Sequence, residues 1–319
     1  MRVLITGISG QDGSILFDQA TAAGFDVLGI VRNKPISVSP DTLSPDSRMV
    51  DLDISQAHNA RQILDLFNPS LILHMAAIHA SSERMNSLNG DTLVEMKKCH
   101  VEITKNIIDW QAGNPKSKSI IALSSQMYSP KNNISYISEE SKIDPFSIYG
   151  ETKARAFQII KNARKNLRVQ TAGAILFNHT SSRSKPEFLF PTLARKITDC
   201  LLGKSQVIEI RNQYSRIDIT SANEICDGIL KLARLDSLTD LVFSSGASYM
   251  LEDIIVRATK QLEQSFNPNI VSTFSGSMDQ KILVGDPRKA GVLIDWKATL
   301  QPWDILAQMV QQDLNQRST

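Results

Sequence analysis

In the stretch "SIYGETKARAF", Tyr149 and Lys153 stand four positions apart, which on a helix is one turn and therefore one face. An ammonium beside a phenol stabilises the phenolate and brings a tyrosine pKa down from about 10 toward the working range, making it a usable proton-transfer group for a hydroxyl. Upstream, "SIIALSSQMYS" runs an apolar segment into Ser124 and Ser125 and then into Gln126. A serine at a strand end can hydrogen-bond a reacting oxygen, whereas an amide neither takes nor gives a proton near neutral pH. At the other end of the chain, "RVLITGISGQDGSILFDQA" sets Gly7, Gly10 and Gly13 between an apolar run and a helical pattern. Glycines there let the backbone turn sharply and approach a pyrophosphate, whose charge the helix N-terminus stabilises.

These groups need a scaffold that brings them to one edge. Short apolar, β-branched runs at 2–6, 26–31, 71–77, 119–123 and 169–177 alternate with helical patterns at 55–67, 92–110 and 149–166. Continuous rather than alternating hydrophobicity means both faces of each strand are covered, so the expected fold is a doubly wound α/β architecture with a parallel Rossmann-type sheet. Beyond residue 178 the rhythm loosens, with helices expected at 223–235 and 303–314, and predicts a smaller mixed α/β C-terminal domain.

Composition narrows the function classes. The 319 residues are 42% hydrophobic and 21% charged, the balance of a globular chain rather than a disordered one. A net charge of +2, with 35 basic and 33 acidic residues spread without runs, offers no footprint for nucleic acid or a membrane surface. Cys99, Cys200 and Cys226 show no metal-binding spacing and read as isolated thiols, so no metal is expected. The opening "MRVLITG" reads as a strand and not a leader, and a cytoplasmic location is expected.

The glycine spacing, the strand-end serine and the Tyr149/Lys153 pair together resemble the short-chain dehydrogenase/reductase superfamily and its Ser-Tyr-Lys catalytic set. Ser124, Tyr149 and Lys153 take those positions. The resemblance implies an NAD(P)-dependent enzyme in which Tyr149 exchanges a proton with a sugar hydroxyl while hydride moves to or from the nicotinamide. Gly7, Gly10, Gln11, Asp12 and Gly13 fall on the phosphate loop, Asp51 and Leu52 at the adenine, and Ala76 and Ala77 beside the diphosphate and nicotinamide. The second strand ends in "GIVRNK", with Arg32 and Lys34 where an NAD site usually has an acid, so NADP(H) is favoured and NAD(H) stays open.

Three blocks narrow the resemblance to the GDP-mannose 4,6-dehydratase family: "GQDGS", "AILFNHTSSR" and "VGDPRKAGVLIDWK". That likeness implies a GDP-linked sugar as partner and a homodimer or tetramer, and it divides the chain into two domains. Residues 1–178, with a return segment at about 212–247, would bind the dinucleotide; 179–211 and 248–319 would bind the nucleotide sugar. Asn178, with His179 beside it, and Arg216 align with the family's diphosphate contacts, with Ser125, Arg183 and Lys196 as further substrate candidates. The helices at 92–110 and 149–166 carry apolar residues over more than one face, and the family pairs these helices as a four-helix bundle.

One departure bears on the reaction. The family's catalytic Glu is Gln126 here, and Ile148 replaces a Pro before Tyr149. Dehydration in the family oxidises C4, eliminates water across C5 and C6, and returns the hydride to C6; an ionisable carboxyl can serve the elimination and an amide cannot. The expected activity is therefore reductase or epimerase/reductase of a GDP-4-keto-6-deoxy sugar. The dehydratase stays open if His79, Glu83, Glu139 or Glu140 replaces the carboxylate, and a non-catalytic NADP-binding regulator is the alternative from another class.

Overall fold

Seven strands form one sheet in the computed structural model, which describes residues 1–32, 48–78, 90–131, 133–262, 267–273 and 281–317. They are β1 (Arg2–Thr6), β2 (Asp26–Val31), β3 (Met49–Asp51), β4 (Leu71–His74), β5 (Lys118–Ser124), β6 (Gln170–Leu176) and β7 (Leu241–Phe243). The order across the sheet is β7-β6-β5-β4-β1-β2-β3, and all neighbours are parallel. Chain order reverses between β1 and β4, which opens a crevice at the carboxyl ends of the strands, where open α/β sheets bind ligands.

Successive side chains of a strand point to opposite faces, and here both faces are dry. Val3, Ile5, Leu73 and Ile120 pack under α1 (Gln11–Ala22), while Leu4, Ile72 and Ile121 pack under α2 (Ala57–Phe67). The second face continues over α4 (Ile103–Ala112), which follows α3 (Gly90–Lys97), and over α5 (Ile148–Leu167). A separate core joins α6 (Leu189–Leu201) to later helices; α7 (Ala222–Ala233) instead lies on the α1 face. That separate core unites α6 with α8 (Leu251–Lys260) and α10 (Pro302–Arg317). Residues of α9 (Arg288–Ile294) and Trp296 pack with α7 on the main sheet, and the Trp296 indole donates to the Glu224 carbonyl at 2.7 Å.

Two elements differ from expectation near the crevice. The strand expected over 71–77 ends at His74, and the Ala76 amide donates to the Thr6 hydroxyl at 3.2 Å instead of continuing the ladder. The helix expected over 92–110 is interrupted by a π-helical turn, Lys98–Glu102, between α3 and α4. Of the apolar residues on the helices at 92–110 and 149–166, Ile103, Ile107, Trp110, Phe157 and Ile160 are buried in the chain's own core.

Candidate active site

The first strand leads into Gly7, whose φ of +71° only glycine adopts readily, and a Cβ there would lie 2.6 Å from the Ala76 Cα. A Cβ on Gly13 would lie 2.2 Å from the Gly7 carbonyl oxygen, so the helix can pack this close to the strand only without a side chain. The Gly10 amide donates to the Gly7 carbonyl at 2.9 Å, and no side chain caps α1. The exposed turn and the uncapped amides of α1 fit a dinucleotide pyrophosphate.

Ser147 caps α5 by accepting the Gly150 amide proton at 3.0 Å, and this sets the first turn that carries Tyr149. Tyr149 and Lys153 are both buried and face the end of β5. There the Lys153 ammonium donates to the Ala122 carbonyl at 2.8 Å, and Ser124 hydrogen-bonds the Tyr149 hydroxyl. The Lys153 Nζ lies 5.8 Å from the Tyr149 ring centre. The three residues of the expected catalytic set thus meet at one strand end.

Their protonation differs from the sequence expectation. Burial raises the Tyr149 pKa above the ordinary tyrosine value, with Cys99 adding to the rise and the Ser124 hydrogen bond opposing it. Burial lowers Lys153 to about 8. The expectation that Lys153 brings Tyr149 down toward neutrality is therefore corrected: burial sets the direction of the shift, and the Lys153 ammonium donates to the Ala122 carbonyl.

Two buried histidines, absent from the sequence reading, brace this corner. His74 Nε2 donates to the Cys99 carbonyl at 3.1 Å, so its Nδ1 accepts the Thr6 hydroxyl at 2.7 Å. Burial and the nearby Lys153 charge push His74 to about 3, so it stays neutral. His100, inside the π turn, accepts the Ile78 amide proton on Nε2 at 3.2 Å and therefore donates from Nδ1 to Thr152 at 2.8 Å. Thr152 in turn donates to the Tyr149 carbonyl at 2.8 Å. The His100 ring stands edge-on to Tyr149, with centres 5.2 Å apart and planes at 89°. A π turn is a frequent mark of functional sites, and here it carries an imidazole that ties the segment after β4 to α5.

Gln126 lies in a single 3-10 turn, Ser125–Met127, after β5. Its Oε1 accepts from the Ser147 hydroxyl at 2.9 Å, which leaves Nε2 as a hydrogen-bond donor. Of the carboxylates named as replacements for the family's Glu, Glu139 is buried and accepts the Val242 amide at 2.8 Å, and Glu140 is exposed. His79 and Glu83 lie outside the described residues, as does Lys34.

Across the crevice, the first turn of α1 is joined to the segment after β6. Asp12 pairs with His179 Nε2 at 3.0 Å, while His179 Nδ1 donates to the Phe177 carbonyl at 2.7 Å. Burial lowers the His179 pKa, but Asp12 overrides it and holds the imidazolium; Asp12 is lowered despite its own burial, chiefly by His179. The Gln11 Oε1 accepts from Ser181 at 3.0 Å and from Ser184. Asn178 donates to the Asp218 carbonyl at 3.0 Å.

The remaining sequence candidates are more dispersed. Asp51 pairs in register with Val31, and the Leu52 amide donates to the Val31 carbonyl at 3.0 Å, which sets both beside Arg32. Ala76 and Ala77 follow β4 at the crevice, and Ser125 opens the 3-10 turn. The three cations expected at the sugar diphosphate hold protein partners: Arg183 pairs with Asp18 at 2.5 Å, Lys196 reaches the Glu209 carbonyl, and Arg216 donates to the Ser248 carbonyl at 2.6 Å. The cysteines are free thiols.

The model of the GDP-mannose 4,6 dehydratase family matches residues 4–309. A GDP-mannose 4,6 dehydratase of Dictyostelium discoideum is 23% identical over 352 residues, spanning 98% of this chain and 95% of the relative. In fold, the chain is similar to dTDP-glucose 4,6-dehydratase of Bacillus anthracis, solved with NAD, at a TM-score of 0.79 and 15% identity over 100% of this chain and 98% of that one. It is also similar to MoeE5, solved with UDP-glucuronic acid and NAD, at a TM-score of 0.78 and 21% identity, with 100% of both chains covered. With the phosphate loop, the Ser124–Tyr149–Lys153 corner and a family match along nearly the whole chain, the protein belongs to the GDP-mannose 4,6-dehydratase family and so to the nicotinamide-dependent nucleotide-sugar enzymes of the short-chain dehydrogenase/reductase type.

Proposed function

We propose that this enzyme reduces the ketone of a GDP-4-keto-6-deoxy sugar, with NADP(H) favoured over NAD(H), and that it has given up the elimination step of its relatives. The observation that carries the reading is Gln126, an amide at the position of the family's carboxylate, bound through Oε1 to the Ser147 cap. Its Nε2 is suited to donate a hydrogen bond to a sugar oxygen, not to remove a proton from carbon.

Tyr149 is the group that would exchange the proton. A tyrosine held protonated by burial is a proton donor, as ketone reduction requires, whereas oxidation of an alcohol needs the phenolate. Bound nicotinamide would supply the hydride. Ser124 would hydrogen-bond the carbonyl oxygen, Tyr149 would deliver its proton to that oxygen, and Lys153 would stabilise the phenolate left behind. Gly7, Gly10 and Gly13 would cradle the pyrophosphate, with Arg32 at the ribose and Asp51 and Leu52 at the adenine. Asn178 and Arg216 would receive the sugar diphosphate, Arg216 by turning from Ser248.

The second reading is the dehydratase itself, favoured by the family match over residues 4–309. Among the described residues the alternative carboxylates do not support it, since Glu139 is committed to Val242 and Glu140 faces solvent. The test is to incubate purified protein with NADP+ and GDP-mannose and look for a 4-keto-6-deoxy product. None is expected, and Gln126→Glu should gain measurable elimination, since an acid–base group typically contributes about 10²–10⁴-fold. Ordinary turnover by the unmodified enzyme would defeat the proposal.

A homodimer or tetramer and a cytoplasmic setting complete the proposal. No helix among the described residues is long and apolar enough to cross a membrane. Val94 on α3 and Ile148 on α5 are exposed apolar residues on touching elements, a surface that a second copy would cover. Light scattering at micromolar concentration should show at least a dimer; a stable monomer would remove this part.

A further inference from the structure

The preference for a 2′-phosphate rests on a cation, Arg32, and on the lack of an acid at the carboxyl end of β2. The fold supplies an acid from elsewhere. Glu95, on α3, places Oε2 2.6 Å from Arg32 Nη1 and Oε1 2.9 Å from Lys98 Nζ. All three side chains are about one-third exposed, at 31%, 36% and 40% for Arg32, Glu95 and Lys98, so the cluster faces solvent at the end of β2. Lys98 and Arg32 hold Glu95 ionised, below the ordinary carboxylate range.

A phosphate bound by Arg32 would have to share the guanidinium with this carboxylate. The phosphate carries more than one negative charge near neutral pH, and two anions on one fork repel each other. A ribose diol has the opposite need: its hydroxyls are neutral donors, and a carboxylate accepts them. Glu95 thus weakens what Arg32 offers a 2′-phosphate and lets the site accept NAD(H) as well.

We infer that Glu95 is a specificity-determining residue for the cofactor, a carboxylate reaching the adenosine ribose from α3 that competes with the 2′-phosphate for Arg32 and keeps the site open to NAD(H). Lys98 moderates it by drawing off part of the carboxylate's charge. This inference rests on the reading that the cofactor's adenosine end lies beside Arg32.

The test is the affinity of the full chain for NADPH and NADH, without sugar, by the change in cofactor fluorescence. Glu95→Gln should tighten NADPH about tenfold, the effect of removing one like charge at a partly solvated site. The same change should leave NADH equal or weaker, so that the ratio of the two dissociation constants moves at least tenfold toward NADPH. Lys98→Gln should move the ratio the other way by a smaller factor. An unchanged ratio in both variants would overturn the role of Glu95. Arg32→Ala separates the two levels: if it weakens NADPH while the Glu95 and Lys98 variants change nothing, only this inference fails. If it leaves NADPH untouched, the placement of the ribose at Arg32 fails as well.

Discussion

Replacing Lys153 by Met should inactivate the enzyme and make the apo protein more stable. Lys153 is only 2% exposed, and its pKa of about 8 instead of 10.5 measures what charging it costs inside the fold. That difference corresponds to about 3 kcal/mol of destabilisation at neutral pH, where the ammonium is charged in both folded and unfolded states. Losing the hydrogen bond to Ala122 gives back about 1 kcal/mol, so Lys153→Met should gain about 2 kcal/mol at pH 7. The sign with pH follows from the lowered folded value. Above about 8 the folded protein releases the proton while the unfolded chain keeps it to about 10.5, so the wild type gains stability as pH rises through that window. The advantage of the variant should therefore shrink to near zero by pH 9.5. Urea unfolding of both proteins at the two pH values measures this; a variant less stable at pH 7, or an advantage unchanged with pH, would refute the desolvation argument.

Gly13→Ala should abolish cofactor binding or unfold the amino-terminal half, because its methyl would meet the Gly7 carbonyl oxygen at 2.2 Å and the Ile8 Cα at 2.7 Å, both of them backbone; cofactor titration combined with circular dichroism distinguishes the two. His179→Asn should destabilise the fold by about 1–3 kcal/mol near pH 6 by leaving the Asp12 carboxylate without its ionic partner. The folded His179 pKa is raised, so its contribution is complete below the unfolded value of about 6.5 and is lost as pH rises through the folded one. The wild-type advantage over this variant in denaturant should accordingly fall as pH rises above about 6.5, and a difference independent of pH would contradict the charged-pair assignment.

The legible parts of the sequence were those in which chemistry is local. The runs at 2–6 and 26–31 are strands with those bounds, since a covered parallel strand needs apolar residues on both faces. Tyr149, Lys153 and Ser124 were legible together, from the helical spacing, the strand-end serine and the glycine loop read as one resemblance. What stayed hidden depends on distant backbone. His100 reads as a polar residue within a helical pattern, and its role appears only when the Ile78 amide and Thr152 close around it. The π turn that carries it leaves no trace in a 3.6-residue period. Glu139 looked like a free acid until the fold brought it to the Val242 amide. Glu95 escaped because an acid was sought at the end of β2 while the fold delivers one from α3. The direction of the Tyr149 shift was missed for a related reason: the spacing shows the ammonium, but only the fold shows the burial that sets that direction.

The central claim, a hydride-transfer site without elimination chemistry, is tested most directly by following NADPH absorbance with a preformed GDP-4-keto-6-deoxy sugar. Oxidation of NADPH is predicted with that substrate, reduced at least a hundredfold in Tyr149→Phe because the general acid is gone. No consumption of the keto sugar, together with dehydration of GDP-mannose by the same preparation, would contradict the account.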